Sequence, residues 1–217
     1  MTQRTVLVVL FDGVQSLDVT GPLEVFAGAE RHTPDTYRIR TASLDGAPVR
    51  TSSGLTLVPD EALTRACDPH TPLVPGGRGT RRPDTAPVTD WLRVHAPRAE
   101  RRVSVCTGAT LLAAAGLLDG RRATSHWLAL GQLAAFGVEA TDERVVFDGK
   151  YVTAAGVSSG IDMGLALLGR IAGDDHARAV QLGTEYDPQP PYDAGAPHKA
   201  PAHLVEELRA RSRFILT

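Results

Sequence analysis

The chain has 217 residues, of which 42% are hydrophobic and 5% aromatic, a composition typical of one α/β domain with a sizeable core. Its 23 basic and 25 acidic side chains leave a net charge of −2, and the arginines are scattered, which argues against nucleic-acid binding. No apolar stretch reaches the ~18 residues that a membrane span needs, and no signal-peptide pattern opens the chain, so we expect a cytoplasmic protein.

The first half of the chain alternates between strand and helix patterns. The run at 4–11 is apolar throughout, as in a strand buried on both faces of a parallel sheet. Pro22 is suited to the first position of the helix that follows. In chain order, we predict a strand at 4–11, a helix at 23–29, a strand at 37–42, a small hairpin at 48–57, a strand at 72–75, a surface loop at 80–87 and a helix at 88–95.

The second half continues the alternation. We predict a strand at 103–105, a helix at 111–118, a brief strand at 121–127, a helix at 128–136, a hairpin at 144–155, a helix running to 171, a helix at 174–186, an extended proline-rich segment at 187–192 and a helix at 202–213. This order favours an α/β fold in which helices cover both faces of a doubly wound, mostly parallel sheet, with a small β-hairpin beside it. We expect residues 1–217 to form a single domain.

A tight turn containing a cysteine joins the strand at 103–105 to the next helix. Cys106 ends a β-branched run, and Thr107 and Gly108 lead directly into an alanine-rich stretch. This order is similar to the nucleophile elbow G-x-S-x-G, with Cys106 in the serine position. The N–H groups and partial positive charge of a helix N-terminus are expected to favour the thiolate. Cys106 is therefore the candidate nucleophile, with a small buried core residue as the alternative interpretation.

Asp18 is predicted to lie in the loop after the first strand, at the sheet edge where open α/β sheets bind ligands. If the strands at 4–11 and 103–105 were adjacent, the Asp18 carboxyl would be within reach of the Cys106 thiol. Taken alone, Asp18 is also explained as a helix-start residue that accepts backbone N–H bonds. The case for a catalytic carboxyl therefore depends on its pairing with the cysteine.

The loop after the strand at 72–75 offers candidate backbone donors. Gly76 and Gly77 would allow their N–H groups to approach a ligand closely. The N–H of Thr107 directly follows the candidate nucleophile, so it is the natural first donor of an oxyanion hole, with a second donor from Gly76 or Gly77. The alternative for these residues is ordinary turn chemistry.

Two other titratable residues are second-rank candidates. Glu24 is a competing carboxylate, but it falls on the predicted first helix, where a solvated face explains it. His126 precedes a tryptophan, a setting in which a lone histidine is more often a core or capping residue than a catalytic base.

Several chemistries lack their motifs in this sequence. There is no phosphate-binding G-x-x-x-x-G-K-[ST], no G-x-G-x-x-G after the first strand and no zinc-binding H-E-x-x-H. The seven histidines include no closely spaced pair, so we expect no metal site. The two cysteines, Cys67 and Cys106, are expected to be free thiols in a reducing compartment.

Four internal segments and the terminal stretch resemble the ThiJ/PfpI superfamily, and within it the isonitrile hydratases. The resemblance covers nearly the whole chain. Its motifs are LDVTGPLEVF at 17–26, VCTG at 105–108, AAGLLDGRRATSHW at 114–127, GVSSGID at 156–162, and the terminal pairs and prolines Gln181-Leu182, Glu185-Tyr186-Asp187-Pro188, Pro190-Pro191-Tyr192, Gly195 and Pro197.

The resemblance implies a flavodoxin-like α/β sandwich, a homodimer and a cysteine nucleophile at the elbow, with no cofactor. By position, Cys106 matches the family nucleophile, Asp18 the acid that protonates the substrate in isonitrile hydratases, and Thr107 the residue after the nucleophile. The implied reaction is hydration of a small-molecule isonitrile to an N-substituted formamide through a cysteine-bound thioimidate. The same segments open the AraC-type regulators; since this sequence ends at Thr217, we expect no C-terminal helix-turn-helix domain.

Other members of the superfamily match this chain less well. Thr107 stands where PfpI-type proteases place a histidine, and the His-x-Glu pair of class I glutamine amidotransferases is missing. Glyoxalase-like members use an early glutamate and a histidine, for which Glu24 and His126 are the only candidates. A non-catalytic sensor, either of a ligand or of oxidation at Cys106, is a further alternative. One departure from the hydratases concerns the substrate pocket, because the loop after the glycines carries Arg78, Arg81 and Arg82.

Overall fold

A computed structural model describes residues 3–34, 36–66 and 68–212, which form eleven strands and seven α-helices. The strands are β1 (Arg4–Leu10), β2 (Tyr37–Ser43), β3 (Val49–Arg50), β4 (Thr56–Leu57), β5 (Glu61–Ala62), β6 (Thr71–Val74), β7 (Arg102–Val105), β8 (Arg122–Ala123), β9 (Glu139–Ala140), β10 (Val145–Asp148) and β11 (Tyr151–Ala154). The helices are α1 (Ser16–His32), α2 (Ala86–His95), α3 (Gly108–Ala114), α4 (Leu130–Ala134), α5 (Ser159–Ala172), α6 (Asp174–Gly183) and α7 (Ala202–Ala210).

Seven strands form one central sheet in the order β10-β11-β7-β6-β1-β2-β5. All neighbours in it are parallel except β10 and β11, which form the predicted hairpin. From β1 the chain adds β2 on one side and later places β6 on the other, so the order reverses between β1 and β6. The predicted doubly wound, mostly parallel, flavodoxin-like sheet is therefore confirmed, and its switch point lies between these two strands.

The core lies on both faces of this sheet. Val6 to Leu10 of β1 are all buried, as the continuous apolar run predicted. Helices α1, α5 and α6 pack against one another, and α2, α3 and α4 form a second packed group. The small predicted hairpin is also present, as β3 and β4. None of the described helices is long and apolar enough to cross a membrane.

The first helix starts earlier than its sequence pattern predicted. Asp18 lies in the first turn of α1, not in a loop, and Pro22 lies inside the helix. A proline in a helix interior removes the hydrogen bond to the carbonyl four residues earlier, here that of Asp18. Burial of Val19, Val25 and Phe26 on the same helix compensates for that loss, because tertiary packing outweighs local propensity.

Other predictions were also wrong in their bounds. Helix α3 ends at Ala114 instead of 118, because Gly116 turns the chain with φ +75°. Helix α2 begins at Ala86 instead of 88, and the largely exposed segment before it contains short 3₁₀ turns at Arg78–Arg81 and Pro83–Thr85. Helix α4 is five residues long rather than the nine predicted at 128–136. Cys67 lies outside the described residues, whereas Cys106 is a free thiol.

The loops after β1, β6 and β7 meet at the carboxyl edge of the sheet. β6 lies between β1 and β7, so the supposed adjacency of β1 and β7 is wrong. The loops after β1 and β6 are nevertheless joined directly, because Gln15 N–H donates to the Gly76 carbonyl at 2.8 Å and Val14 forms a bridge with Gly77. This junction brings the start of α1 over β6 toward the end of β7.

Close approach of α3 to the loop after β6 gives a stability prediction. A Cβ on Gly108 would overlap the Val74 carbonyl oxygen, and that oxygen belongs to backbone and cannot move alone. We expect Gly108→Ala to lower the free energy of unfolding by at least about 2 kcal/mol. Urea unfolding with an unchanged slope measures this loss.

The matched control is Gly131→Ala in α4, where a Cβ meets no atom of the described residues within 4 Å. Alanine is the better helix former, so this change is expected to be neutral or to stabilise by about 0.5 kcal/mol. Equal effects of the two substitutions would contradict the close-approach argument.

Candidate active site

Cys106 lies on a strained turn between β7 and α3. Its φ is +57°, a left-handed value that is uncommon for a residue with a side chain. The backbone holds it there, because the Cys106 N–H donates to the carbonyls of Ala154 (3.0 Å) and Ala155 (2.8 Å), and its own carbonyl accepts from the Ser125 hydroxyl at 2.9 Å. Only 5% of the residue is exposed. The elbow geometry predicted from the sequence is therefore present, with the thiol enclosed.

Asp18 reaches this thiol from the first turn of α1. The carboxyl is fully buried, and its Oδ2 accepts the Gly76 N–H at 2.8 Å. Oδ1 has no hydrogen-bond partner of standard geometry among the described residues, while the Cys106 thiol is close enough to interact with the carboxyl group. The structure thus brings together the two residues that the sequence analysis paired, although a strand separates β1 from β7.

Gly76 is the residue that allows this meeting. A Cβ at position 76 would lie 2.4 Å from Thr107 N and 2.6 Å from Thr107 Oγ1, distances that side chains do not tolerate, and 3.0 Å from Asp18 Oδ2. The backbone of Gly76 therefore lies against both Thr107 and the Asp18 carboxyl, and a larger residue would push one of them away.

The pair changes the acidity of both members. Burial raises the pKa of Asp18 to about 7, although the hydrogen bonds from Gly76 and Cys106 act in the opposite direction. Burial also raises the pKa of the Cys106 thiol, and the negative charge of Asp18 raises it further; the N–H and hydroxyl of Thr107 oppose both effects. The expected preference for the thiolate is therefore wrong for the resting site, because burial and a neighbouring carboxyl outweigh a helix of seven residues.

Thr107, which follows the cysteine, is held in place by Gly77. The Thr107 side chain is buried, and its Oγ1 accepts the Gly77 N–H at 2.9 Å. Since Gly76 N–H already binds Asp18, both glycine N–H groups are engaged within the protein. The N–H of Thr107 is the backbone donor that acts on the sulfur.

The Cys106 thiol and the Asp18 carboxyl are placed so that one proton can move between them. The thiol can give its proton to the carboxylate as it attacks, and the resulting carboxylic acid can give the same proton to a substrate. The described residues contain no group of three or more side chains placed to hold a metal ion.

Comparison with known proteins finds relatives over most of the chain. A model of the DJ-1/PfpI family matches residues 4–170. The chain belongs to the DJ-1/PfpI family. An isonitrile hydratase of Pseudomonas putida is 40% identical to it over 204 residues, which are 94% of this chain and 87% of that protein.

Two further members show how widely the family scaffold is used. A ThiJ/PfpI family protein from Pseudomonas syringae has a crystal structure that matches with a TM-score of 0.88 at 32% identity, covering 97% of this chain and 86% of that one. The HTH-type transcriptional regulator CdhR of Pseudomonas aeruginosa is 32% identical over 179 residues, which are 82% of this chain but 53% of that protein. The predicted DJ-1/PfpI (ThiJ/PfpI) membership is thus confirmed.

The two second-rank candidates occupy different places in the DJ-1/PfpI fold. Glu24 lies on the exposed face of α1, with its Oε2 3.9 Å from Arg31 Nη2, as the solvated-face interpretation predicted. His126 is half-buried against Gly156, its Nδ1 accepts the Leu128 N–H at 3.3 Å, and burial lowers its pKa. Neither is among the groups that shift the acidity of Cys106.

Two hydroxyl residues around the cysteine were missed as functional candidates. Ser125 binds the Cys106 carbonyl, and Thr80 Oγ1 lies 3.3 Å from Thr107 Oγ1. In the sequence, Ser125 stands within the family motif at 114–127, and Thr80 belongs to the predicted surface loop. No local pattern marks either residue, because both contacts join segments that are 19 or more positions apart.

The buried carboxyl gives this DJ-1/PfpI chain a pH-dependent stability. With a pKa of about 7 in the folded protein and 3.8 ordinarily, Asp18 keeps a proton between these values that the unfolded chain has lost. The stabilising contribution of this proton to the free energy of unfolding is therefore fully present below pH 3.8 and is lost as the pH rises through 7. We expect Asp18→Asn to unfold at higher urea than wild type at pH 8, by about 2–4 kcal/mol, with the gain shrinking toward pH 4.

Asp90→Asn is the control for this prediction, since Asp90 pairs with Arg93 on the exposed face of α2. It should change the free energy of unfolding by less than about 0.5 kcal/mol at any pH. An Asp18→Asn curve that runs parallel to wild type from pH 4 to 8 would contradict the raised pKa.

Proposed function

We propose that the chain is an isonitrile hydratase that converts R–N≡C to R–NH–CHO, with Cys106 as nucleophile and Asp18 as the group that moves protons. The observation that carries the proposal is the buried pair of thiol and carboxyl at the elbow. The 40% identity to the P. putida isonitrile hydratase over 94% of the chain supports it. The homodimer implied by the family resemblance stays a prediction.

The first step joins the thiol to the terminal carbon of the isonitrile. Asp18 as carboxylate takes the thiol proton, the sulfur attacks the carbon, and Asp18 returns the proton to that same carbon. The product is the thioimidate R–N=CH–S–Cys106, which contains every atom of thiol and substrate. Forming this covalent intermediate divides a difficult hydration into two easier steps.

The second step releases the formamide. Water adds to the thioimidate carbon, and Asp18 passes one of its protons to the nitrogen. The C–S bond then breaks as the remaining hydroxyl proton passes through Asp18 to the sulfur, which regenerates the thiol and leaves R–NH–CHO. The N–H and hydroxyl of Thr107 can stabilise the negative charge on the sulfur as it attacks and as it leaves, because both already act on it in the free protein.

The geometry also favours Asp18 over Glu24 as the carboxyl in use. Asp18 is fully buried and interacts with the Cys106 thiol, whereas the Glu24 side chain is 64% exposed and faces Arg31. A glyoxalase-like reaction built on Glu24 would therefore need the helix to turn that side chain away from its observed face.

The test is hydration of an aromatic isonitrile by the purified protein, with the formamide identified by mass. We expect turnover that Cys106→Ala abolishes and that Asp18→Asn lowers by about 10²–10⁴-fold, the usual contribution of general acid–base catalysis. Glu24→Gln is the matched carboxyl control and should keep wild-type turnover. No turnover by folded wild-type protein on aromatic and aliphatic isonitriles, or full activity of Asp18→Asn, would contradict the proposal.

The pH dependence of kcat/KM tests the role of Asp18 separately. The reactive form holds one proton on the thiol and none on the carboxyl, so protonation of Asp18, whose pKa is about 7, removes it. We expect kcat/KM to fall about tenfold per pH unit below 7 and to level off above it. A profile that is flat to pH 5 would assign the proton transfer to another group.

A further inference from the structure

Thr107 has one hydroxyl proton and two acceptors for it. Its Oγ1 accepts the Gly77 N–H at 2.9 Å, so the hydroxyl must donate elsewhere. It can donate to the Gly77 carbonyl at 3.3 Å, and it also lowers the pKa of the Cys106 thiol, as a donor to the sulfur does. Which acceptor receives the proton decides whether Thr107 can stabilise charge on the sulfur.

Thr80 hydrogen-bonds to the Gly77 carbonyl, which is the acceptor that competes with the sulfur for the Thr107 proton. Its backbone N–H donates to the Gly77 carbonyl at 3.3 Å, and its hydroxyl donates to the same oxygen at 3.0 Å. A carbonyl oxygen has two lone pairs, and these two bonds, neither of them longer than the 3.3 Å contact to the Thr107 hydroxyl, compete with that hydroxyl for both. The contact between the Thr80 and Thr107 hydroxyls is longer, at 3.3 Å, and we take the shorter bond to set the orientation of the Thr80 proton.

We infer that Thr80 is a positioning residue, which fills the Gly77 carbonyl and thereby directs the hydroxyl proton of Thr107 onto the sulfur of Cys106. It acts through Thr107, and its hydrogen bonds among the described residues go to Gly77 and Thr107 and not to the thiol or the carboxyl. This role is assigned to a residue of the loop after Gly77, a segment whose sequence suggested only an exposed connection. Its effect on turnover rests on the proposed function, whereas its effect on the thiol does not.

The first measurement is the rate at which iodoacetamide alkylates Cys106 at pH 8, followed by peptide mass because Cys67 is a second thiol in the chain. The thiolate is the form that reacts. Thr80→Val keeps the backbone bond but frees one lone pair of the Gly77 carbonyl to take the Thr107 proton. We therefore expect the alkylation rate to fall about tenfold, as for loss of a hydrogen bond to a charged group. Thr80→Ser restores the hydroxyl and should react within about twofold of wild type.

Thr85→Val is the matched structural control. The Thr85 hydroxyl also donates to a backbone carbonyl of this loop, that of Gly79, at 2.6 Å, and the residue is buried. Its loss should lower stability at least as much as Thr80→Val while leaving the alkylation rate unchanged. An equal loss of rate in Thr85→Val would overturn the inference, because the loop as a whole would then be responsible.

A double-mutant cycle separates proton orientation from access to the buried thiol. Asp18, from α1, is the charged group that acts on the sulfur and is kept in every variant. In a Thr107→Val background there is no hydroxyl left to orient, so Thr80→Val should have no further effect. A loss that persists in that background, or wild-type reactivity of Thr80→Val itself, would overturn the inference.

Turnover of an aromatic isonitrile by the same variants tests the catalytic consequence. We expect Thr80→Val to lower kcat without raising KM, since the oriented proton stabilises charge that develops only during the reaction. If wild type shows no turnover but the alkylation rates follow the expected pattern, the proposed reaction fails and the role of Thr80 stands. A Thr80→Val variant that raises KM alone would show a binding role instead.

Discussion

One hydrogen bond holds the candidate site together: the Gly76 N–H donates to Asp18 Oδ2 at 2.8 Å. It fixes the start of α1 to the loop after β6, at the point where the strand order reverses. The next residue, Gly77, binds the Thr107 hydroxyl, so two successive N–H groups fix the two side chains that flank the thiol. The loop after β6 is therefore the part of the fold that sets the distance between carboxyl and cysteine, although it contributes no side chain of its own at Gly76 or Gly77.

This arrangement lowers stability in order to keep a reactive pair. A fully buried carboxyl that accepts one backbone hydrogen bond beside a thiol is a costly way to fill space, and the raised pKa of Asp18 measures part of that cost. The left-handed backbone of Cys106 adds strain, which bonds to Ala154, Ala155 and Ser125 hold in place. Such local violations are expected where a fold is built for chemistry and not for stability alone.

Much of the fold could be predicted from the sequence because its signals are local. The apolar run of β1, the turn of the β10–β11 hairpin and the elbow at Cys106 each specify their structure within a few residues. The extent of α1 could not be predicted, because burial of its apolar face outweighs Pro22. The pairing of Asp18 with Cys106 was reached through an assumed adjacency of strands, yet the actual link passes through Gly76, and no sequence pattern shows which carboxyl a glycine N–H will bind.

The protonation state of Cys106 in the free protein determines which chemistry the site favours. Because burial and Asp18 both oppose the thiolate, the free protein holds a thiol, and an oxidant that needs a preformed thiolate meets an unfavourable site. The proposed hydration does not need one in advance, since the isonitrile carbon accepts the sulfur and the proton together, and the pair moves its proton without net change in charge. A buried site penalises net charge far more than such an internal transfer. A substrate that takes nucleophile and proton at one atom is therefore better matched to this pair than oxidation of the thiol is.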